Sequence, residues 1–223
     1  MRVKKLLFWV ISFIVALVLI YNVMVIFTII QEKMFLPRDY ILWTFNYPVS
    51  RLSIIYIYYF IFAFFVKKSG IMRYAKRNKK WFYPIFIFSN SLLIYALFFN
   101  VSVVTSNSII NHTFFTPQGK VYHYRDIVSI DTGVCEKRRF NPLVHTKGDF
   151  YYLITLKDGT AIDLNDVGGT KNNKDIYETL EEIDKTLENA RINKISKIET
   201  FEYFNKNLIF AGRIKSILNN DKY

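Results

Sequence analysis

The sequence predicts an integral membrane protein in which three transmembrane helices precede a small α+β domain. Two observations predict this class. The first half of the chain, up to about residue 104, is dominated by Phe, Ile, Leu, Val and Tyr, whereas the second half has the composition of a soluble protein. The basic excess follows the same division: residues 1–104 carry 13 Lys and Arg against 2 Asp and Glu, and residues 105–223 carry 17 against 16.

This distribution of charge decides which partners the sequence favours. A net charge of +12 would be compatible with nucleic-acid binding if it lay on a soluble domain. The second half of the chain is nearly neutral, however, so nucleic acid is excluded as a predicted partner. The basic residues are instead predicted to set membrane topology and to contact anionic lipid, which makes the lipid bilayer the first predicted partner.

Three apolar stretches are assigned to the predicted transmembrane helices. Residues 6–30 contain no charge, and this run exceeds the ~20 residues that a helix needs to cross a hydrocarbon core. No small-residue cleavage site follows, so the stretch is predicted to be a retained anchor rather than a signal peptide. The other two spans are predicted at about residues 50–66 and 81–104. All three tryptophans lie near predicted span ends, where indole rings favour the headgroup region (Trp9, Trp43 and Trp81).

The predicted orientation depends on seven basic residues in the short link between the second and third spans. They are Lys67, Lys68, Arg73, Lys76, Arg77, Lys79 and Lys80, and no acidic residue lies among them. Short loops rich in Lys and Arg remain in the cytoplasm, so this link and the basic N-terminus are predicted to be cytoplasmic. Three crossings of the plasma membrane then leave the C-terminal domain on the extracytoplasmic side.

From residue 108 onwards the pattern changes to that of an α+β domain. Short β-rich runs alternate with turn signals, and Asp158-Gly159 between two such runs predicts a hairpin, because its turn requires positive φ angles. Gly168-Gly169 is interpreted as a turn between the last strand and a helix. Residues 174–190 carry apolar side chains at intervals of three and four, which is typical of an amphipathic helix.

The segment from Tyr122 to Ile130 resembles a motif of bacterial pleckstrin-homology-like (PH-like) domains, an aromatic–x–aromatic–x–Asp-Ile–x–x–Ile pattern. The residues that carry the resemblance are Tyr122, Tyr124, Asp126 and Ile127, together with Asp158 and Gly159 of the hairpin. The resemblance covers residues 108–190 and implies a bent antiparallel β-barrel or sheet capped by a C-terminal helix. It also implies a binding or assembly module in which these six residues are structural. The phosphoinositide site of eukaryotic relatives is not carried over, because no matching pair of basic strands is present.

The tail, residues 191–223, has apolar side chains at helical spacings with basic residues among them. Two placements are open. A basic amphipathic helix can lie on a membrane surface, or the same helix can pack on the sheet or on the spans.

The sequence contains no catalytic signature, so it does not predict an enzyme or a cofactor. The three histidines, His112, His123 and His145, have no metal-ligand spacing among themselves or with Cys135, and no metal site is predicted. No nucleophile motif, phosphate-binding glycine loop or zinc-protease motif occurs.

Three hypotheses for function remain. The first is a non-enzymatic multi-pass membrane protein that presents its domain to a protein or envelope component at the membrane surface. The second is an immunity protein that protects the cell against a bacteriocin or secreted toxin. The third, a small transporter subunit, is disfavoured because the predicted spans lack ionisable residues. The heavy use of Ile, Lys, Asn, Tyr and Phe is compatible with a low-GC Gram-positive bacterium.

Overall fold

The computed structural model describes residues 2–46, 77–137, 145–204 and 208–219. The second predicted span, residues 50–66, lies outside the described residues. Four of the seven basic residues of the predicted link also lie outside the described residues (Lys67, Lys68, Arg73 and Lys76). The chain divides into two units, Met1–Leu36 and Pro37–Tyr223.

The first unit is a single helix. Helix α1 (Arg2–Phe35) has 34 residues and includes the first predicted span. No Gly or Pro interrupts it, and Pro37 follows its end, where a proline disfavours further helix. Two of its polar side chains bond to the preceding turn of the same helix: Asn22 Nδ2 donates to the Val18 carbonyl at 2.7 Å, and Thr28 Oγ1 donates to the Met24 carbonyl at 3.0 Å. Self-satisfied polar groups of this kind make such a helix compatible with an apolar environment.

The second unit contains two β-sheets. Nine strands lie among its described residues: β1 (Tyr40–Phe45), β2 (Val101–Thr105), β3 (Ser108–His112), β4 (Lys120–His123), β5 (Ile127–Val134), β6 (Phe150–Leu156), β7 (Ala161–Asp163), β8 (Val167–Thr170) and β9 (Lys194–Ser196). The first sheet has the order β4-β3-β2-β1-β8, and all its pairs are antiparallel. The second has the order β7-β6-β5-β9, in which β5 and β9 are parallel.

Three further helices belong to this unit: α2 (Lys79–Phe98), α3 (Ile176–Asn189) and α4 (Leu208–Asn219). Asp175 caps α3, since its side chain accepts a hydrogen bond from the Glu178 amide at 2.9 Å. The buried face of α3 includes Leu180, Ile183 and Leu187, which matches the apolar spacing in the sequence.

One cluster of buried apolar side chains joins both sheets to α3 and α4. Strand β6 shows how the sequence builds it: its residues alternate between buried and half-buried, as expected for a strand with one face on the core. Phe150, Tyr152 and Ile154 are among the largest fully buried side chains. Each large side chain buried in this way contributes about 1.5–3 kcal/mol relative to exposure.

The C-terminal helix packs on the domain. Ile214, Ile217 and Leu218 are fully buried in the core cluster. The ring of Phe210 lies 4.8 Å from that of Tyr177 on α3, measured between centroids. Of the two placements open for the tail, the structure shows packing on the domain for Leu208–Asn219.

The predicted fold class, three transmembrane helices followed by a PH-like bent antiparallel barrel, is wrong. The structure is an α+β fold with two sheets, one of them containing a parallel pair. Among the described residues, one helix, Lys79–Phe98, is long and apolar enough to cross a membrane.

Two strands explain part of this difference. Residues 101–104, assigned to the third span, lie in β2, every residue of which is buried. Residues 40–45, which precede the predicted second span, form β1. A strand buried throughout gives a continuous apolar run, which sequence periodicity does not distinguish from a helix end. The sheet therefore begins well before residue 108.

Candidate functional site

The end of the first sheet where the chain enters and leaves residues 47–99 is the best-defined candidate site. Strands β1 and β2 are neighbours, and Phe45 pairs with Val101. Beyond this pair the Asn46 amide donates to the Asn100 carbonyl at 3.0 Å. The Asn100 side chain donates in return to the Asn46 carbonyl at 2.6 Å. Both ends of the segment are thus fixed side by side.

A buried polar cluster supports this junction. Asn46 Nδ2 donates to Asn111 Oδ1 at 2.7 Å and to the His112 carbonyl at 3.0 Å. Ser102 Oγ lies 2.5 Å from Asn46 Oδ1 and 3.0 Å from Asn111 Oδ1. Ser102 and Asn111 are buried. Because the side chains satisfy one another, the cluster fixes strand register rather than presenting free groups to a ligand.

The β3–β4 loop, residues 113–119, extends from the same end of the sheet. His112 Nδ1 lies 3.0 Å from the Pro117 carbonyl. Gly119 has φ of +85°, and a Cβ at this position would lie 2.6 Å from the His112 ring. Burial lowers the pKa of His112, which favours the neutral imidazole. Gly119 therefore packs closely on His112, and this contact joins the end of the loop to its start.

An aromatic cluster connects this loop to the last turn of α2; we define it as Tyr95, Phe98, Phe99, Phe114 and Phe115. The ring of Tyr95 lies 5.1 Å from that of Phe114 in an edge-on arrangement and 4.6 Å from that of Phe99. Phe115 contacts Phe114 at 5.0 Å but is itself 88% exposed. A large apolar side chain that is exposed beside other aromatic rings indicates an interaction site.

Helix α2 carries this site at its C-terminal end and basic residues at its start. None of its 20 residues is buried. Of the seven basic residues predicted to set topology, Arg77, Lys79 and Lys80 are described, and all three are exposed. Trp81 follows them and is 76% exposed. The helix therefore has charged and indole groups at one end, aromatic rings at the other and apolar side chains between.

The residues that carry the PH-like resemblance lie away from this site, and Asp158 is at their centre. Tyr122 Oη donates to Asp158 Oδ2 at 2.6 Å, and Lys120 Nζ donates to the same oxygen at 2.7 Å. Lys120 and Tyr122 together hold the pKa of Asp158 well below its usual range. These contacts join strand β4 of the first sheet to the β6–β7 turn of the second.

The other four residues of the resemblance have structural contacts or turn conformations. Tyr124 Oη donates to the Thr105 carbonyl at 2.5 Å, and burial raises the pKa of Tyr124 to about 12. Asp126 accepts from the His123 amide at 3.0 Å, and Ile127 pairs with Leu156. Gly159 has φ of +81° in the β6–β7 turn. Of the six residues, Tyr122 and Asp158 bond across the two sheets, whereas Ile127 and Gly159 have their pairing and turn within the second sheet.

A buried His–carboxylate pair, which sequence reasoning missed, lies near β7. His145 Nε2 is 2.6 Å from Asp163 Oδ2, and the side chain of Asp163 is only 4% exposed. Asp149 Oδ2 lies 3.9 Å from the other ring nitrogen of His145. No sequence signal marks this pair, because its members come from a loop and a strand that meet only in the fold. Within the described residues, no group of three or more His, Cys, Asp or Glu could hold a metal ion.

Comparison with known proteins gives no further assignment. The chain matches no protein-family model, no curated protein and no solved structure. The case for function therefore depends on the geometry of α2, the sheet junction and the domain surface.

Proposed function

We propose that this chain is a non-enzymatic, multi-pass protein of the plasma membrane whose α+β domain binds a protein or envelope partner. The observation that carries the proposal is the connection from α2 to β2. An apolar helix with no buried residue ends at Phe98, and the central strand β2 begins at Val101. Its 20 residues span about 30 Å, the thickness of a hydrocarbon core. The domain is thus held directly at the membrane surface.

The orientation of the domain follows from the two ends of α2. Arg77, Lys79 and Lys80 lie at its start, and no acidic residue occurs between residues 77 and 100. Because Lys and Arg flanking a span stay in the cytoplasm, this end is cytoplasmic and the sheet is extracytoplasmic. The same rule places the N-terminus, with Arg2, Lys4 and Lys5, in the cytoplasm.

The sheet junction supports more than one crossing. Asn46 and Asn100 are hydrogen-bonded neighbours, whereas Asn78 precedes the opposite end of α2. If α2 crosses a bilayer, Asn46 and Asn100 lie on one side of it and Asn78 lies on the other, and this separation supports a multi-pass protein.

The surface of the domain supports a binding role. Exposed apolar side chains occur on both sheets, among them Val121 (56% exposed), Val128 (52%) and Ile195 (51%). In contrast, Asp126, Asp131 and Asp158 are each paired with a lysine. These exposed positions offer a partner apolar contact beside charges that are already paired.

Two experiments test the proposal. Val128→Cys in a Cys135→Ser background should react with a membrane-impermeant thiol reagent in intact cells. Reaction only after permeabilisation would overturn the orientation. A photo-crosslinking residue at Val128 or Ile195 should give a discrete adduct in cells, whereas the same residue at exposed Lys185 on α3 serves as the control. Equal, diffuse labelling at all three positions would contradict a defined binding face.

A further inference from the structure

We infer that the β3–β4 loop, residues 113–119, anchors the domain to the bilayer by inserting Phe115 into the extracytoplasmic lipid interface beside the end of α2. The inference rests on the proposed function, since it requires α2 to cross the membrane. It adds a point of membrane attachment on the domain itself. The ligand of this surface is the boundary between lipid headgroups and acyl chains.

The first support is strand register. Val101 of β2 pairs with His112 of β3 in an antiparallel ladder. The chain that precedes Val101 is the end of α2, and the chain that follows His112 is the loop. Because antiparallel neighbours run in opposite directions, both continue past the same end of the sheet. The loop therefore projects toward the side from which α2 enters.

The second support is direct contact between the loop and the helix. The ring of Phe114 packs edge-on against Tyr95, 5.1 Å between centroids. Tyr95 lies one turn before the end of α2, where an aromatic side chain of a spanning helix occupies the headgroup region. Phe114 is thus level with this region, and its neighbour Phe115 is 88% exposed.

The third support is the chemistry and order of the loop. Residues 113–119 contain no charged side chain, so insertion does not require a charge to lose its water. Thr113 and Thr116 satisfy each other, with their hydroxyl oxygens 2.7 Å apart, and the Gly119 amide donates to the Thr116 carbonyl at 3.0 Å. These bonds fix the turn that presents Phe115, so the exposed ring belongs to an ordered structure.

A protein partner is the other occupant that an exposed phenylalanine could have. The contact with Tyr95 favours lipid, because it places the loop at the same depth in the bilayer as the end of α2, an apolar helix with no buried residue. Val128, in contrast, lies on β5 of the second sheet, whereas α2 leads into β2 of the first.

The test is spin-label accessibility on the full chain reconstituted in phosphatidylcholine–phosphatidylglycerol vesicles. Phe115→Cys, Ile87→Cys and Val128→Cys are each made with Cys135→Ser and labelled with a nitroxide. Ile87 lies within α2 and is 62% exposed. Val128 is 52% exposed and follows β4, which runs away from the loop. Oxygen concentrates in the acyl region, whereas a nickel chelate stays in water, so their relative collision rates report depth.

We expect the ratio of oxygen to nickel collisions to be several-fold higher at residues 87 and 115 than at residue 128. A lipid-like ratio at 87 with a water-like ratio at 115 would overturn the anchor and leave the proposed span intact. Water-like ratios at both positions would overturn the span and the anchor together. An immobilised label at 115 that neither reagent reaches would show a protein contact and would also overturn the lipid assignment.

Discussion

Lys194 and Asp184 form a two-point ion pair inside the core, with Lys194 Nζ 2.7 and 2.8 Å from the two carboxylate oxygens. The side chains are 8% and 1% exposed. Lys194 Nζ also donates to the Ile217 carbonyl in α4, and Tyr152 Oη donates to Asp184 at 2.9 Å. One buried pair thus joins α3, β9, β6 and the C-terminal helix, and a cation there complements the carbonyl end of α4.

Replacing Lys194 with Met should destabilise the domain strongly. The substitution leaves the Asp184 carboxylate buried without its cation, and breaking a buried pair in this way costs about 3–5 kcal/mol. The measurement is the free energy of unfolding of the full chain in detergent, followed by tyrosine fluorescence or circular dichroism during denaturation.

Lys185→Met is the matched control, because Lys185 pairs with Glu181 on the surface at 59% exposure. That variant should lose less than about 1 kcal/mol, as exposed pairs do. Equal losses for the two variants would contradict the role given to Lys194.

Acidification should destabilise the protein partly through His112. Burial lowers the pKa of this histidine from its ordinary value of 6.5, so the unfolded chain binds the proton more readily than the folded one. The contribution is therefore absent above the ordinary pKa and grows as pH falls through it towards the lowered folded value. Unfolding free energies between pH 8 and pH 5 should fall less steeply for His112→Gln than for the parent chain. His123→Gln, at an exposed position of β4, provides the comparison, and an unchanged slope in His112→Gln would contradict the prediction.

Two glycines with similar backbone angles should tolerate alanine differently. Gly119 and Gly159 have φ of +85° and +81°, so alanine at either position is strained by about 1–2 kcal/mol. At Gly119 the added Cβ would also lie 2.6 Å from the His112 ring, whereas at Gly159 it would meet nothing within 4 Å. Gly119→Ala should therefore lose about 1–3 kcal/mol more than Gly159→Ala, the usual range for overpacking. Thermal unfolding of the two variants checks the difference, and a larger loss at Gly159 would contradict the packing of the loop on His112.

Elements defined by neighbouring residues could be predicted from the sequence. The apolar spacing over residues 174–190 locates α3 to within a few residues, and Asp158-Gly159 marks the turn between β6 and β7. These features depend on interactions a few residues apart, such as the bond from the Glu178 amide to Asp175.

Elements defined by distant pairing could not be predicted in this way. Strands β1 and β2 are recognisable only through the pairing of Phe45 with Val101 across residues 46–100. The sequence predicts Trp43 in the headgroup region, yet it is 2% exposed and packs against Gly168 and Gly169. The sequence predicts a turn at these glycines, but they belong to β8, where a Cβ on either would collide with the indole.

The candidate site shows the same division. The basic residues at the start of α2 are visible as a charge run, and the topology that they imply stays a prediction. The Tyr95–Phe114 contact and the cluster around Asn111 arise from long-range packing, and no local pattern marks them. A polar Ser or Asn within a run of β-branched residues is a weak signal at best, since its partners cannot be identified without the sheet register.

Asn111→Ala should weaken the junction that holds the two ends of residues 47–99. Asn111 Oδ1 accepts from Asn46 Nδ2 and contacts Ser102 Oγ, and the cluster is buried, so removal of the amide leaves donors without this partner. The loss should be about 1–3 kcal/mol in the free energy of unfolding. Asn107→Ala is the matched control, because Asn107 is exposed in the β2–β3 turn of the same hairpin. This variant should change stability by less than about 0.5 kcal/mol.

The double variant, Ser102→Ala with Asn111→Ala, should lose less stability than the sum of the two single losses, since the two side chains share one network. Additive losses would show that the two side chains act independently and that the cluster does not fix the junction as a unit.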